Sequence, residues 1–106
     1  MKCYLFIDDL RIPAPRPGYQ LYVARTYDEA IRALEQQEFD LISFDHDLGE
    51  EKTGYDVAKY IVASNIKIKE GFKIHSANPV GKYNISQLLT HYGYQELSWK
   101  NKKFIL

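Results

Sequence analysis

Residues 39–49 read FDLISFDHDLG, an apolar run that ends directly at Asp45, His46 and Asp47. Short apolar runs that are bounded by polar residues are typical of strands buried on both faces of a sheet. The stretch therefore predicts a buried strand over residues 39–44, with two carboxylates and an imidazole at its carboxyl end.

Polar residues follow two other predicted strands in the same way. In a parallel α/β sheet, ligands bind beyond the carboxyl ends of the strands. If the three strands are adjacent and parallel, their terminal side chains share one edge of the sheet. Residues 4–7 are followed by Asp8 and Asp9, and residues 72–74 are followed by His75 and Ser76.

Helix signals separate the predicted strands. Thr26 with Glu29 forms a capping pattern before an apolar stripe, Thr53 begins a second helix, and Asn78-Pro79 is a cap followed by a first-turn proline. Alternating strands and helices predict an α/β fold with three layers and a mainly parallel sheet of about five strands.

Two further segments of the sequence affect this fold prediction. The connection after the first strand contains three prolines and a glycine within residues 13–18, which exclude a helix there. A parallel crossover normally needs a dozen or more residues, so either an extended segment crosses the sheet or the strands at 4–7 and 21–24 pair differently. We favour the crossover. A last strand is predicted near residues 96–99.

Length and composition indicate a single domain over residues 1–106. The chain holds 14 basic and 14 acidic residues, which excludes a uniformly basic nucleic-acid-binding surface or a polybasic membrane anchor. Cys3 is the single cysteine, so no internal disulfide forms, and no apolar run approaches the ~20 residues of a membrane span. These features predict a cytoplasmic protein that does not associate with membranes.

The acidic residues are concentrated in one part of the sequence. Residues 28–56 hold ten acids and two bases, and the rest of the chain holds four acids and twelve bases. Much of this charge is explained by a solvated helix face. Several carboxylates at one sheet edge, however, repel one another unless protons or a divalent cation offset their charge. Oxygen ligands suit Mg²⁺, and Mn²⁺ tolerates a histidine better.

Each polar motif also has a structural explanation. The aspartate pair and the segment at residues 45–49 are consistent with a strand end and a turn. His75 is consistent with a hydrogen-bonded structural residue, and Ser76 with a cap. The occurrence of all three motifs at corresponding strand ends favours a shared site.

These motifs resemble the receiver domain of response regulators, over most of residues 3–100. The pair Asp8-Asp9 is similar to the metal-binding acids of that family, and Asp45 lies at the phosphoacceptor position. Ser76-Ala77 is similar to the Ser/Thr-Ala that ends the fourth strand of receivers. The resemblance implies a receiver- or flavodoxin-like sheet and a metal held by Asp8, Asp9 and Asp45.

The sequence also departs from ordinary receivers. The first receiver helix is replaced by RIPAPRPG (residues 11–18), the last is absent, and Lys100 is followed by Asn101 rather than proline. The blocks IDDLRIP, DHDLG, TGYDVA and HSANP resemble a receiver-derived group, the cyclic-phosphate-processing receiver domain. This resemblance implies handling of cyclic phosphates on RNA ends or nucleotides.

Two main functions follow from the resemblance. The first is a metal-dependent phosphoesterase or cyclic phosphodiesterase with Mg²⁺ or Mn²⁺. Its catalytic residues would be Asp45, as metal ligand or nucleophile, with Asp47, His46 and His75 in proton transfer. Ser76 and Lys100 would bind phosphate.

The second function is a non-enzymatic module, in which Asp45 accepts a phosphoryl group or the site binds a ligand and a partner protein reads the result. A structural accessory protein with a vestigial site is a third alternative. The expected ligands are a phosphorylated or cyclic-phosphate small molecule or an RNA end. The uncovered edge at the last strand predicts a partner chain there, although the oligomeric state is left open.

Overall fold

A computed structural model describes residues 1–97 of the chain, which form an α/β fold. The strands are β1 (Lys2–Ile7), β2 (Tyr19–Ala24), β3 (Phe39–Phe44) and β4 (Ile68–Ile74), and the helices are α1 (Tyr27–Gln36), α2 (Gly54–Ala63) and α3 (Pro79–His91). The strand order is β2-β1-β3-β4, with every neighbouring pair parallel. The predicted parallel α/β sheet is confirmed. None of the helices in residues 1–97 is long and apolar enough to span a bilayer.

The proline-rich segment between β1 and β2 is an extended crossover. β1 and β2 are parallel, with Lys2 opposite Tyr19 and Ile7 opposite Ala24. Residues 8–18 contain no helix and connect the end of β1 to the start of β2. The predicted crossover is therefore confirmed. The first receiver helix is replaced by this segment, as its sequence indicated.

The three predicted helix starts are all confirmed by their caps. The Thr26 hydroxyl accepts the backbone N–H of Glu29, and the Asn78 side chain accepts that of Gly81. At α2, Thr53 and Asp56 form a reciprocal capping box. Such caps satisfy backbone donors that the first helical turn otherwise leaves without partners.

The two faces of the sheet are covered differently. All three helices pack on the face that carries Leu5, Ile7, Ile42 and Phe44, and this layer forms the main core. The opposite face carries a smaller cluster of Tyr4, Phe6 and Leu41, with Tyr19 and Leu97 packed against it. In the described part of the chain, this face adjoins the proline-rich segment and no helix.

Within residues 1–97, a single parallel bridge lies beside β4, at the position of the predicted last strand. Phe72 N–H donates to the carbonyl of Gln95 at 2.9 Å, and Leu97 N–H donates to the carbonyl of Phe72 at 2.8 Å. These bonds make a parallel bridge between Phe72 and Glu96. Gly71, with φ +142°, permits the close approach, because a Cβ there would overlap the carbonyl oxygen of Gln95. The bridge includes the first residue of the last strand predicted near residues 96–99, and residues 98 and 99 lie outside the described residues.

Candidate metal and phosphate site

Three polar side chains meet at the carboxyl edge of the sheet. β1, β3 and β4 are neighbours and parallel, so the residues that follow them lie side by side. Asp8, Asp45 and His75 each offer one ligand atom, and these atoms lie within 4.8 Å of one another. We call these three residues the edge cluster.

Asp8 is held in place by an extensive set of hydrogen bonds. Its side chain is 1% exposed, and Oδ1 accepts the backbone N–H groups of Leu10 and Arg11 at 2.8 Å each. Oδ2 lies 2.9 Å from Nε2 of His75. Burial acts to raise the pKa of Asp8, but the two backbone N–H groups and His75 outweigh it and lower the pKa. Asp8 is therefore an ionised carboxylate at neutral pH.

Asp45 has a less favourable environment for its charge. Burial, followed by the negative charge of Asp8, raises the pKa of Asp45. His75, the backbone N–H of His46 and the Ser76 hydroxyl counteract the rise. The two aspartates thus form a close acidic pair whose mutual repulsion a cation would relieve.

His75 links this acidic pair to the sheet. Its ring stacks on Phe6, with centroids 4.4 Å apart and planes 6° from parallel. Nδ1 lies 2.7 Å from the Ser43 hydroxyl, and Nε2 lies against Asp8. Burial lowers the pKa of His75, although Asp8 acts in the opposite direction. Both ring nitrogens are occupied, so the imidazole is fixed in one orientation.

The donor set of the edge cluster fits a divalent cation. Two carboxylates and an imidazole nitrogen within 4.8 Å are ligands that Mn²⁺ accepts, and the carboxylates alone suit Mg²⁺. Burial, and then the charge of Asp8, raise the pKa of Asp45, so a cation would favour its ionised form. Asp8 and Asp45 are the residues that would hold such a cation.

His46 and Asp47 form a separate group beside the edge cluster. Nδ1 of His46 lies 3.1 Å from Oδ1 of Asp47, and the Asn78 amide donates to Oδ2 of Asp47 at 3.3 Å. The hydrogen bond from His46, and then that from Asn78, lowers the pKa of Asp47. The His46 ring packs on Gly81, where a Cβ would lie 2.5 Å from the ring Cδ2. No hydrogen bond to Nε2 of His46 is found within residues 1–97, so this nitrogen is available to a ligand.

The remaining predicted residues are distributed as follows. Asp9 lies apart from the edge cluster: its Oδ2 is 2.8 Å from where a Cβ of Gly49 would stand, and Gly49 has φ +70°. The Asp9 carboxylate therefore faces the loop that follows β3. Ser76 lies beside Asp45. Lys100, predicted to bind phosphate, lies outside the described residues.

Two arginines that sequence reasoning missed hold the loop after β1. The Arg11 guanidinium donates to the carbonyl of His75 at 2.6 Å. The Arg25 guanidinium donates to the carbonyls of Asp8 at 2.9 Å and Arg11 at 2.6 Å. Arg25 directly follows β2, so the strand-end pattern that pointed to the acids would also have indicated this residue.

The fold is similar to solved response regulators. TrrA from Thermotoga maritima, in complex with Mg²⁺ and BeF, superposes with a TM-score of 0.65 at 19% identity, covering 99% of this chain and 94% of that one. A CheY-like receiver domain protein from Methanospirillum hungatei gives 0.64 at 17% identity, covering 91% and 78%.

A third similar structure belongs to a longer protein. A response regulator from Burkholderia pseudomallei, with a phosphorylated aspartic acid, a calcium ion and citrate, gives a TM-score of 0.65 at 17% identity. The match covers 91% of this chain but 58% of the Burkholderia protein. At these identities the likeness establishes the receiver-like fold alone.

Sequence comparison identifies the family. No curated protein matches the sequence significantly. The family model of the cyclic-phosphate processing receiver domain matches residues 3–91, a span that contains the edge cluster and the His46-Asp47 pair. The chain belongs to the cyclic-phosphate processing receiver domain family.

Proposed function

We propose that this protein processes a phosphoester, a cyclic phosphate on a nucleotide or an RNA end, with the help of Mg²⁺ or Mn²⁺. The observation that carries the proposal is the edge cluster, in which Asp8, Asp45 and His75 present ligand atoms within 4.8 Å of one another. Membership of the cyclic-phosphate processing receiver family supports the substrate class.

Asp8 and Asp45 would hold the cation, and Asp9 supplies a further carboxylate on the adjoining loop. When bound, the cation would offset the charge of the phosphoryl oxygens. The Ser76 hydroxyl beside Asp45 would orient one of those oxygens. His75 acts as a positioning residue in this scheme, because both of its ring nitrogens are engaged.

The His46-Asp47 pair is the better candidate for proton transfer. Ionised Asp47 accepts Nδ1–H of His46, which leaves Nε2 as an acceptor toward the ligand. In ring opening, a water oxygen bonds to phosphorus while the bond from phosphorus to one ester oxygen breaks. Nε2 takes one proton of the water, solvent gives a proton to the departing oxygen and then takes the proton of the imidazolium, so that a cyclic diester becomes a monoester.

The test combines cation binding with turnover. Asp45→Asn should weaken Mn²⁺ binding at least about 10-fold, with exposed Asp28→Asn as the matched control. His46→Ala should reduce turnover of a 2′,3′-cyclic nucleotide by about 10²–10⁴-fold while leaving Mn²⁺ affinity unchanged. His91→Ala, on the exposed end of α3, is its control. No turnover of cyclic or linear phosphoesters with either metal would refute the enzymatic proposal.

A non-enzymatic phosphoacceptor is the second candidate. Asp45 directly follows β3 and interacts with Asp8 and Ser76, and the structurally similar Burkholderia regulator contains a phosphorylated aspartic acid. Intact-mass measurement after incubation with acetyl phosphate separates the two candidates. A stable adduct that is lost in Asp45→Asn supports the phosphoacceptor, whereas rapid release of phosphate without an adduct supports the enzyme.

A further inference from the structure

A cleft of about 570 Å³ lies between the proline-rich segment and the sheet face that carries no helix. Ligand sites in proteins commonly have volumes of about 300–1,000 Å³. Its floor includes Tyr4, Phe6 and Ser43, and one wall is formed by residues 13–17. The crossover that replaces a receiver helix thus leaves room for a ligand where a helix would otherwise pack.

The cleft and the edge cluster share His75. The ring of His75 lines the cleft, stacks on Phe6 and reaches Asp8 through Nε2. The Ser43 hydroxyl connects the cleft floor to this ring, because it lies 2.7 Å from Nδ1 of His75 and also interacts with the Tyr4 side chain. A ligand in the cleft therefore lies next to the group that orients the acidic pair.

The lining combines flat apolar surfaces with cationic groups. Pro13, Pro15 and Pro17 contribute ring faces, and Arg16 and Lys82 contribute positive charge against the carboxylate of Glu96. The Nε of Arg16 is buried and has no hydrogen-bond partner among residues 1–97. The guanidinium carbon of Arg16 lies 4.9 Å from the centroid of the Tyr19 ring, which holds its positive charge at the wall of the cleft.

We propose that this cleft binds the nucleoside part of a nucleotide whose phosphate lies at the edge cluster. The inference rests on the proposed function and narrows its substrate to nucleotides. A planar heterocycle matches the proline faces and the aromatic floor, its acceptors match Arg16, and the charges of Arg16 and Lys82 favour an anion. A simple sugar phosphate would leave the proline faces without an apolar partner, and an acyl chain would desolvate the cationic groups.

Isothermal titration with Mg²⁺ and adenosine 3′-monophosphate, a stable nucleotide probe, tests the inference. Arg16→Gln should weaken binding of this nucleotide about tenfold, and its matched control, exposed Arg32→Gln on α1, should not change it. Affinity for inorganic phosphate should be equal in all forms. Backbone amide shifts on nucleotide addition should appear both at Ala14 and Arg16, the two residues of the 13–17 wall that carry a backbone N–H, and at residues 45–49.

The outcomes separate the inference from the proposed function. Amide shifts confined to residues 45–49 and 75–78, or equal nucleotide affinity in both arginine variants, would overturn the cleft assignment while leaving the phosphate site intact. If the unaltered protein binds neither inorganic phosphate nor Mg²⁺, both the cleft assignment and the proposed function are overturned. If Arg16→Gln unfolds, Lys82→Gln replaces it, because exposed Lys82 lines the same cleft and should also weaken nucleotide binding. Unchanged affinity in that variant likewise refutes the assignment.

Discussion

The contact between Gly81 and His46 leads to a sharp prediction about the His46-Asp47 pair. In Gly81→Ala, the new Cβ would lie 2.5 Å from Cδ2 and 2.8 Å from Cβ of His46. Carbon atoms pack at about 3.5–4.0 Å, so the ring must move by about 1 Å. That movement strains or breaks the hydrogen bond of 3.1 Å to Asp47.

Two opposing terms determine the expected free energy of unfolding. Alanine in a helix is favoured over glycine by up to about 1 kcal/mol, whereas overpacking typically costs about 1–3 kcal/mol. Gly81→Ala should therefore destabilise the protein by about 0–2 kcal/mol. In a His46→Gly background both the ring and the Cβ of residue 46 are absent, and the same change should stabilise by up to about 1 kcal/mol. The coupling energy between the two positions is then about 1–3 kcal/mol.

Urea unfolding of the two single variants and the double variant measures this coupling. Asn84→Ala, on the exposed surface of α3, controls for helix propensity, because alanine is also preferred over asparagine there. Independent positions are additive within about 0.3–0.5 kcal/mol. If Gly81→Ala changes the free energy of unfolding equally with and without His46, the steric argument is refuted.

Two further predictions concern the fold. Burial acts to raise the pKa of Asp56, but hydrogen bonds from Thr53 and the contact with Lys59 outweigh it and lower the pKa. The stabilisation by ionised Asp56 is therefore present above its unfolded pKa of about 3.9 and is lost as pH falls through the lower folded pKa. Asp56→Asn should remove this contribution of about 1 kcal/mol. The midpoint of urea unfolding should then depend less on pH below about pH 4. Gly71→Ala should destabilise the protein by at least about 2 kcal/mol, because the positive φ of residue 71 is strained for alanine and the new Cβ would overlap the Gln95 carbonyl. A thermal unfolding midpoint equal to that of the unaltered protein would contradict this close approach.

The residues that start and end the elements were predictable because their signals are local. Thr26, Thr53 and Asn78 cap helices through bonds to residues three positions ahead. The acids after residues 4–7 and 39–44 indicated strand ends. Pairing between distant segments does not depend on local signals. The sequence favoured a parallel pairing of β1 with β2 across residues 8–18, and the structure established it by placing Lys2 opposite Tyr19.

The sequence by itself determined which residue types stand at the carboxyl ends of the strands, because buried strands and their polar exits follow from the order of apolar and polar residues. Only the tertiary structure decided which of those residues belong to the edge cluster and which to the His46-Asp47 pair. His75 stacks on Phe6 and bonds to Asp8, whereas His46 packs on Gly81 and bonds to Asp47. The physical reason is that a side chain's direction depends on the register and packing of segments far apart in the chain, and neighbouring positions in sequence do not record those contacts.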